Sequence, residues 1–377
     1  MSRPEGTRSV AAGQPRASAA PPAADVDRLY TEGDELYCDM LADIAAARDE
    51  VCLESYIFAD DEVGRAFAGA LTDAAAAGRR VRVLVDSLGS AGLMTETLKR
   101  RLTDAGVEFR WFQRLRLLRP LRYNRRDHRK LLVLDGQIAY FGGFNLHREN
   151  SRRAYGEARW RDTHVRVTGS LAAQVRTTFE LFWDPGFEEH DGADEGAGTF
   201  LLSTHQRVAR RQLRDLFARQ FDAARERILV TTPYFVPDRI IQRGLRRAAE
   251  RGVDVRVLVP ARNDVRLVQW AARAVYGNLL ASGINIYEYL PRVLHAKTVV
   301  VDGDWATVGT ANMDYRSLSM NYELNLVCHD AALVSRLEGH FYQDLENARR
   351  ILAETWDGRS AGDRLAELTG WLARRWL

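Results

Sequence analysis

Cysteine is scarce in this chain: three residues in 377, at Cys38, Cys52 and Cys328. No two form a Cys-x-x-Cys pair, which argues against a disulfide framework and against a cysteine-rich zinc site, and suits a reducing compartment. Long apolar runs are also missing. No stretch reaches the roughly eighteen apolar residues that a membrane-crossing helix needs, so work at a membrane would be done from its surface. The opening segment, MSRPEGTRSVAAGQPRASAAPPAA, holds no apolar core of signal-peptide length and reads as a disordered tail over 1–27. There is no His-Glu-x-x-His and no clustered Cys/His set, so no metal and no other cofactor is expected. Net charge is small, +3.

What is present is an ordinary globular composition, 46% hydrophobic and 28% charged. The length exceeds one usual core, which points to two domains. Residues 295–303 read HAKTVVVDG. On a strand His295 and Lys297 share a face, Thr298 to Val301 are β-branched, and Asp302-Gly303 reads as a two-residue hairpin turn. The returning strand would then bring Gly309-Thr310-Ala311-Asn312 back beside His295. Taken alone, the stretch is no more than a strand with a decorated end.

Residues 128–136, HRKLLVLDG, change that reading. His128, Lys130, Asp135, Gly142 and Asn145 each stand 167 residues before His295, Lys297, Asp302, Gly309 and Asn312. Upstream, SYIFAD (55–60) echoes PYFVPD (233–238), GRRVRVLVD (78–86) echoes GVDVRVLVP (252–260), and AGVEFRWF (105–112) echoes SGINIYEY (282–289), in the same order. A duplicated domain of about 170 residues follows. The boundaries are 28–185 and 200–355, with an acidic Gly-rich linker at 186–199 and an amphipathic C-terminal helix at 356–377. Each half reads strand, helix, strand, helix, strand, then the His-x-Lys hairpin: strands at 51–58, 81–86 and 107–112, helices at 61–77 and 94–105, and the same again over 227–288. This is an α/β fold with a mainly parallel sheet covered by helices.

Charge is unevenly spread. From Arg110 to Lys130 nine basic residues face one acid, Asp127, with Trp111, Phe112, Leu115, Leu117, Leu118, Leu121 and Tyr123 interleaved. The first half holds ten more residues here than the second, so the segment is an insertion leading into the first hairpin. It suits an anionic surface, lipid or nucleic acid. The C-terminal RLAELTGWLARRWL (364–377) places Leu365, Leu368, Trp371, Leu372 and Trp376 near one helical face, which fits either an interfacial helix or a helix docked on its own domain.

If the two motifs face each other, one cleft holds paired histidines, lysines and asparagines. Lys130, Lys297, Asn145 and Asn312 can bind the non-bridging oxygens of a phosphodiester. One histidine can attack phosphorus, and the other can protonate the leaving alcohol and later act as base. Asp162 and Glu323, each at the start of a strand, are candidate orienting carboxylates for the histidines. The hairpin turns set Asp135 and Asp302 at the far ends, as structural supports. The histidines at 147, 164, 190, 205, 329 and 340 occupy no repeated position and are read as structural.

The doubled H-x-K-x4-D-x6-G-[GT]-x-N resembles the phospholipase D superfamily over roughly residues 30–350. The segments PYFVPD, WRDTHVRVTG and GTANMDYRSLSMNYELN make it similar to bacterial cardiolipin synthases, in a short branch without N-terminal membrane helices. The resemblance implies a duplicated phospholipase D-like α/β/α sandwich with the active site between the halves. It groups His128, Lys130, Asp135, His295, Lys297 and Asp302 as the catalytic set. It also implies phosphatidyl transfer between two phosphatidylglycerol molecules through a phosphohistidine, giving cardiolipin and glycerol. The expected partners are anionic phospholipid and a membrane surface, at the cytoplasmic face of the bacterial inner membrane, with no nucleic acid. A phospholipase D-type hydrolase or a metal-independent phosphodiesterase or nuclease is the alternative that the same superfamily allows.

Overall fold

The computed structural model describes residues 26–114, 125–184, 186–187, 198–356 and 358–374. The first half runs β1 (Val26–Tyr30), α1 (Gly33–Ala46), β2 (Glu50–Ser55), α2 (Glu62–Ala76), β3 (Arg80–Asp86), α3 (Glu96–Asp104), β4 (Glu108–Phe112), β5 (Leu131–Leu134), β6 (Ile138–Gly142), the short α4 (Arg152–Tyr155), β7 (His164–Thr168) and α5 (Gly169–Trp183). The second runs β8 (Phe200–Ser203), α6 (Arg207–Ala223), β9 (Arg227–Thr231), β10 (Phe235–Val236), α7 (Arg239–Glu250), β11 (Asp254–Pro260), α8 (Arg266–Leu280), β12 (Asn285–Tyr289), β13 (Thr298–Val301), β14 (Trp305–Gly309), β15 (Met313–Asp314), α9 (Tyr315–Ser319), β16 (Leu324–Cys328) and α10 (Ala331–Glu346). After α10 come β17 (Ala348–Arg350), α11 (Ala353–Trp356) and α12 (Ala361–Ala373). Among the described residues no helix is long and apolar enough to cross a membrane.

One sheet has the order β1-β7-β6-β5-β2-β3-β4, the other β17-β12-β11-β9-β13-β14-β16-β8. The repeat is therefore one strand and one helix longer than the echoes in the sequence: β1-α1 is matched by β8-α6, each strand adding to an edge of its own sheet. The mainly parallel sheet expected from the sequence needs correction. Within these two sheets β2-β3-β4 and β9-β11-β12 pair in parallel, and β10 and β15 form a separate parallel pair. The hairpin strands and the edge strands β1, β8 and β17 are antiparallel. Parallel neighbours need a crossover helix, whereas β5 and β13 enter beside β2 and β9 in the opposite sense and turn back through the hairpins β5-β6 and β13-β14.

The layers alternate helix and sheet. One face of the first sheet packs under α1, α2 and α3, with Phe67, Leu71, Leu98 and Leu102 buried. One face of the second packs under α6, α7 and α8 through Phe217, Phe221, Leu245 and Leu279. Between the sheets lies a shared core that joins Val133, Phe141 and Val165 to Leu229, Val300 and Leu326 through α5 and α10. This shared core fixes the two halves face to face. Because β5 is antiparallel to β2, the start of β5 lies beside the carboxyl ends of β2 and β3, the usual ligand side of an α/β sheet. The same holds for β13 and β9.

Candidate active site

The two His-x-Lys segments enter their strands from extended backbone, each bridged to the opposite half. The amide of His128 donates to the Tyr322 carbonyl (3.0 Å), and the Tyr322 amide donates to Arg126 (2.9 Å). The amide of His295 donates to the Arg161 carbonyl (2.7 Å), and the Arg161 amide donates to Val293 (2.8 Å). The next residue after each bridging partner is the predicted acid, so the acids also cross over. Asp162, from the first half, takes His295 Nδ1 at 2.5 Å. Glu323, from the second half, takes His128 Nδ1 at 3.1 Å, with the Thr310 carbonyl at the same distance. Each ring is held by Nδ1, which leaves Nε2 as the nitrogen open to reaction.

The halves differ at one position of the shared motif. The Asp162 carboxylate fills the space over Gly143, where an added Cβ would lie 1.9 Å from Oδ1. The counterpart of Gly143 is Thr310, whose hydroxyl donates to Glu323 at 2.5 Å. A short carboxylate thus needs a glycine beneath it, and the longer one is steadied by a hydroxyl.

Lys130 donates to the His128 carbonyl (2.5 Å) and lies 5.0 Å from the centre of the Tyr56 ring. Lys297 donates to the His295 carbonyl and sits 3.7 Å from Asp162. All four motif side chains are buried. Burial first, and the charge of Lys297 second, pull the Lys130 ammonium down to about 7. Burial and Lys297 likewise hold His295 at about 4, and burial and Lys130 lower His128. Burial alone would raise Asp162 and Glu323, but Lys297 with His295, and His128 with Thr310 and Lys130, keep both below the usual range. The resting cleft therefore holds neutral imidazoles between ionised carboxylates and lysines that give up their protons easily. A phosphodiester supplies the negative charge that stabilises protons on these groups.

Asn145 is buried and takes the Ile57 amide on Oδ1 (3.1 Å). Asn312 is buried, and among the described residues its Oδ1 has no hydrogen-bond partner. Asp135 and Asp302 are not in the cleft, and grouping them with the histidines as catalytic is corrected by their position. Asp135 accepts the amides of Arg48, Asp49 and Glu50 (2.8–2.9 Å), and Asp302 those of Arg225, Glu226 and Arg227 (2.8–2.9 Å). Each ties the hairpin turn to the start of the central strand. The turns are a residue longer than the sequence suggests, since Val301 pairs with Trp305. Asp302 and Gly303 take φ of 52° and 81°. Asp302→Ala is expected to cost about 2 kcal/mol, because three strand-start amides lose their acceptor. Chemical denaturation would register that loss, while the folded fraction keeps its turnover per active site. A selective loss of turnover at unchanged stability would contradict it.

The structure also buries cations that the sequence assigns to an anionic-surface segment. Arg126 pairs with Asp86 (2.6 Å), and Arg129 pairs with Glu54 (2.7 Å) and Asp127 (3.1 Å), all nearly inaccessible. They anchor the approach to His128 instead of meeting a partner. The apolar and basic residues at 115–124 lie outside the described residues.

Several site residues escaped the sequence reading. Tyr56 meets the His128 ring edge-on (centroids 5.0 Å), Tyr234 meets His295 (6.4 Å), and Trp160 also packs on His295 (5.1 Å). The tyrosines occupy matching places in SYIFAD and PYFVPD, so the echo held the signal. Trp160 has no such echo.

Residues 40–183 and 217–345 both match the family model described as cardiolipin synthase, phospholipase D-like domain. The chain is 34% identical to the major cardiolipin synthase of Bacillus subtilis, covering 90% of this chain and 73% of that protein. It is 33% identical to a cardiolipin synthase of Clostridium perfringens, covering 91% and 75%. Among solved structures, a phosphatidylserine synthase from Haemophilus influenzae superposes with a TM-score of 0.71 over 92% of both chains at 14% identity, which speaks to the fold.

Proposed function

The chain belongs to the cardiolipin synthase family of phospholipase D-like proteins, and from that premise we propose that it moves a phosphatidyl group from one phosphatidylglycerol to the free hydroxyl of a second. The observation that carries this reading is the crossed pairing, Asp162 on His295 and Glu323 on His128, with two buried lysines between. It equips one cleft for both halves of a double displacement. The first Nε2 attacks phosphorus as the phosphorus–oxygen bond to glycerol breaks, and the other histidine gives its proton to that oxygen. The N–P bond then breaks as the acceptor hydroxyl attacks and returns its proton to the second histidine. Lys130 and Lys297 meet the charge on the non-bridging oxygens, with the Asn145 and Asn312 amides beside them. The crossed carboxylates hold Nδ1–H of each ring, which leaves the nucleophile's Nε2 lone pair free and stabilises the doubly protonated ring that gives its Nε2 proton to the leaving oxygen.

The work is done at a membrane surface, where such lipids reside. The three free cysteines suit its cytoplasmic side. The test is product analysis by mass spectrometry after mixing purified protein with phosphatidylglycerol vesicles. Cardiolipin and free glycerol in equal amounts are expected. Phosphatidic acid without cardiolipin would replace this reading with hydrolysis, and cleavage of DNA with no lipid product would replace it with a nuclease.

A further inference from the structure

The helix α12 is built inside out. Its Glu367 and Gly370 are buried, whereas Leu365 is 66% exposed, Leu368 52%, Leu372 64% and Trp371 39%. At 100° per residue these four fall within an arc of about 120° that excludes the buried positions. A helix held by its own apolar stripe would show the reverse. Here the docking is polar and close: Glu367 pairs with Arg359 (3.1 Å) and approaches Arg273 (3.5 Å). Gly370 lies so near α8 that a Cβ would come within 2.4 Å of the Ala271 nitrogen. So the helix is fixed to its own domain and its leucines are still left facing out.

The direction of α12 sets where those leucines lie. Glu367 meets α8 at Arg273 and Gly370 meets it at Trp270 and Ala271, so the two helices run antiparallel. The carboxyl end of α12 approaches the amino end of α8. That end follows directly on Asp264, whose carboxylate accepts from the Tyr234 hydroxyl (2.7 Å), and the Tyr234 ring packs on His295. Val265, between them, is 39% exposed. Cations gather at this end: Arg262 and Arg266 are exposed, and Arg374 lies over the Trp371 ring at 3.6 Å. Trp376 lies outside the described residues.

We propose that the outward face of α12 is a membrane-docking surface that seats an anionic bilayer at the edge of the cleft. Leucine and tryptophan would enter the headgroup–acyl boundary, and the arginines would meet lipid phosphates. The phosphate to be attacked then sits at the depth of the histidines without leaving the bilayer. The inference rests on the lipid reading above, and it resolves the choice left open by the sequence: the helix is docked on its own domain and interfacial at once.

The test uses the full chain and the variant Leu365→Glu with Leu372→Glu, whose changed side chains face outward and leave α8 untouched. Sedimentation with phosphatidylglycerol vesicles should fall about a hundredfold in partition, two buried leucines' worth. Turnover on those vesicles should fall with it. Turnover on a short-chain phosphatidylglycerol below its micelle concentration should stay within about twofold of wild type, since no interface is involved. Unchanged vesicle binding by the variant overturns the proposal. So does an equal loss on the dispersed substrate, or a change from dimer to monomer with vesicle binding intact, which would assign the face to a second copy of the chain. If the wild type binds vesicles through this face but converts neither lipid form, the docking surface stands and the proposed reaction fails.

Discussion

His128→Ala or His295→Ala is expected to lower turnover by about a thousandfold or more, the scale of losing a positioned proton donor or the nucleophile itself. Both variants should fold, since each ring is held by its partners and not the reverse: Glu323 keeps its bond from Thr310 and Asp162 its bond from the Thr163 amide. The two defects separate with a phosphatidyl ester whose leaving oxygen departs without a proton. The variant lacking the acid should still release one equivalent in a burst, through attack by the remaining histidine. The variant lacking the nucleophile should release none. Mass spectrometry of the burst species then places the phosphoryl group on one ring. Full turnover by either variant, or a burst from both, would refute the division of labour.

Asp162→Asn is expected to cost a similar factor, about a hundredfold to ten-thousandfold, because an amide can favour the wrong tautomer of His295. The pH dependence gives a readout that a purely structural defect would not. In the free enzyme Lys130 titrates at about 7, lowered by burial and by Lys297. kcat/KM should therefore fall as pH rises through about 7, where the ammonium that meets phosphate is lost. In kcat the same limb lies higher, because bound phosphodiester stabilises the proton. The Asp162 charge raises the proton affinity of Lys130, Lys297 and His295. Its removal should shift the alkaline limb of kcat/KM to lower pH as well as lowering its height. An unchanged profile would show that Asp162 does not act through these groups.

His128, Lys130, His295 and Lys297 were readable because strand alternation puts i and i+2 on one face and the copies keep register. Asp162 and Glu323 were readable as acids at strand starts, but not which ring each serves, since no local pattern encodes a contact across 133 or 195 residues. The burial of Arg126 and Arg129 is not legible, because charge in a sequence carries no sign of its partner: Asp86 and Glu54 come from other strands. Helix–strand alternation predicts a mainly parallel sheet, but it ends before the hairpin strands that complete the sheet.

By itself, then, the sequence determined the duplication, the strand that presents each histidine and the family. The first two are a self-comparison and a local periodicity, which need no fold to be seen, and the family is a resemblance carried by the motifs they expose. Only the tertiary structure decided the exchange of carboxylates between halves, the fit of Asp162 over Gly143 against Thr310 under Glu323, and the outward turn of Leu365 and Leu372. Each depends on which surfaces of distant segments are pressed together, and the shared core between the two sheets does that pressing.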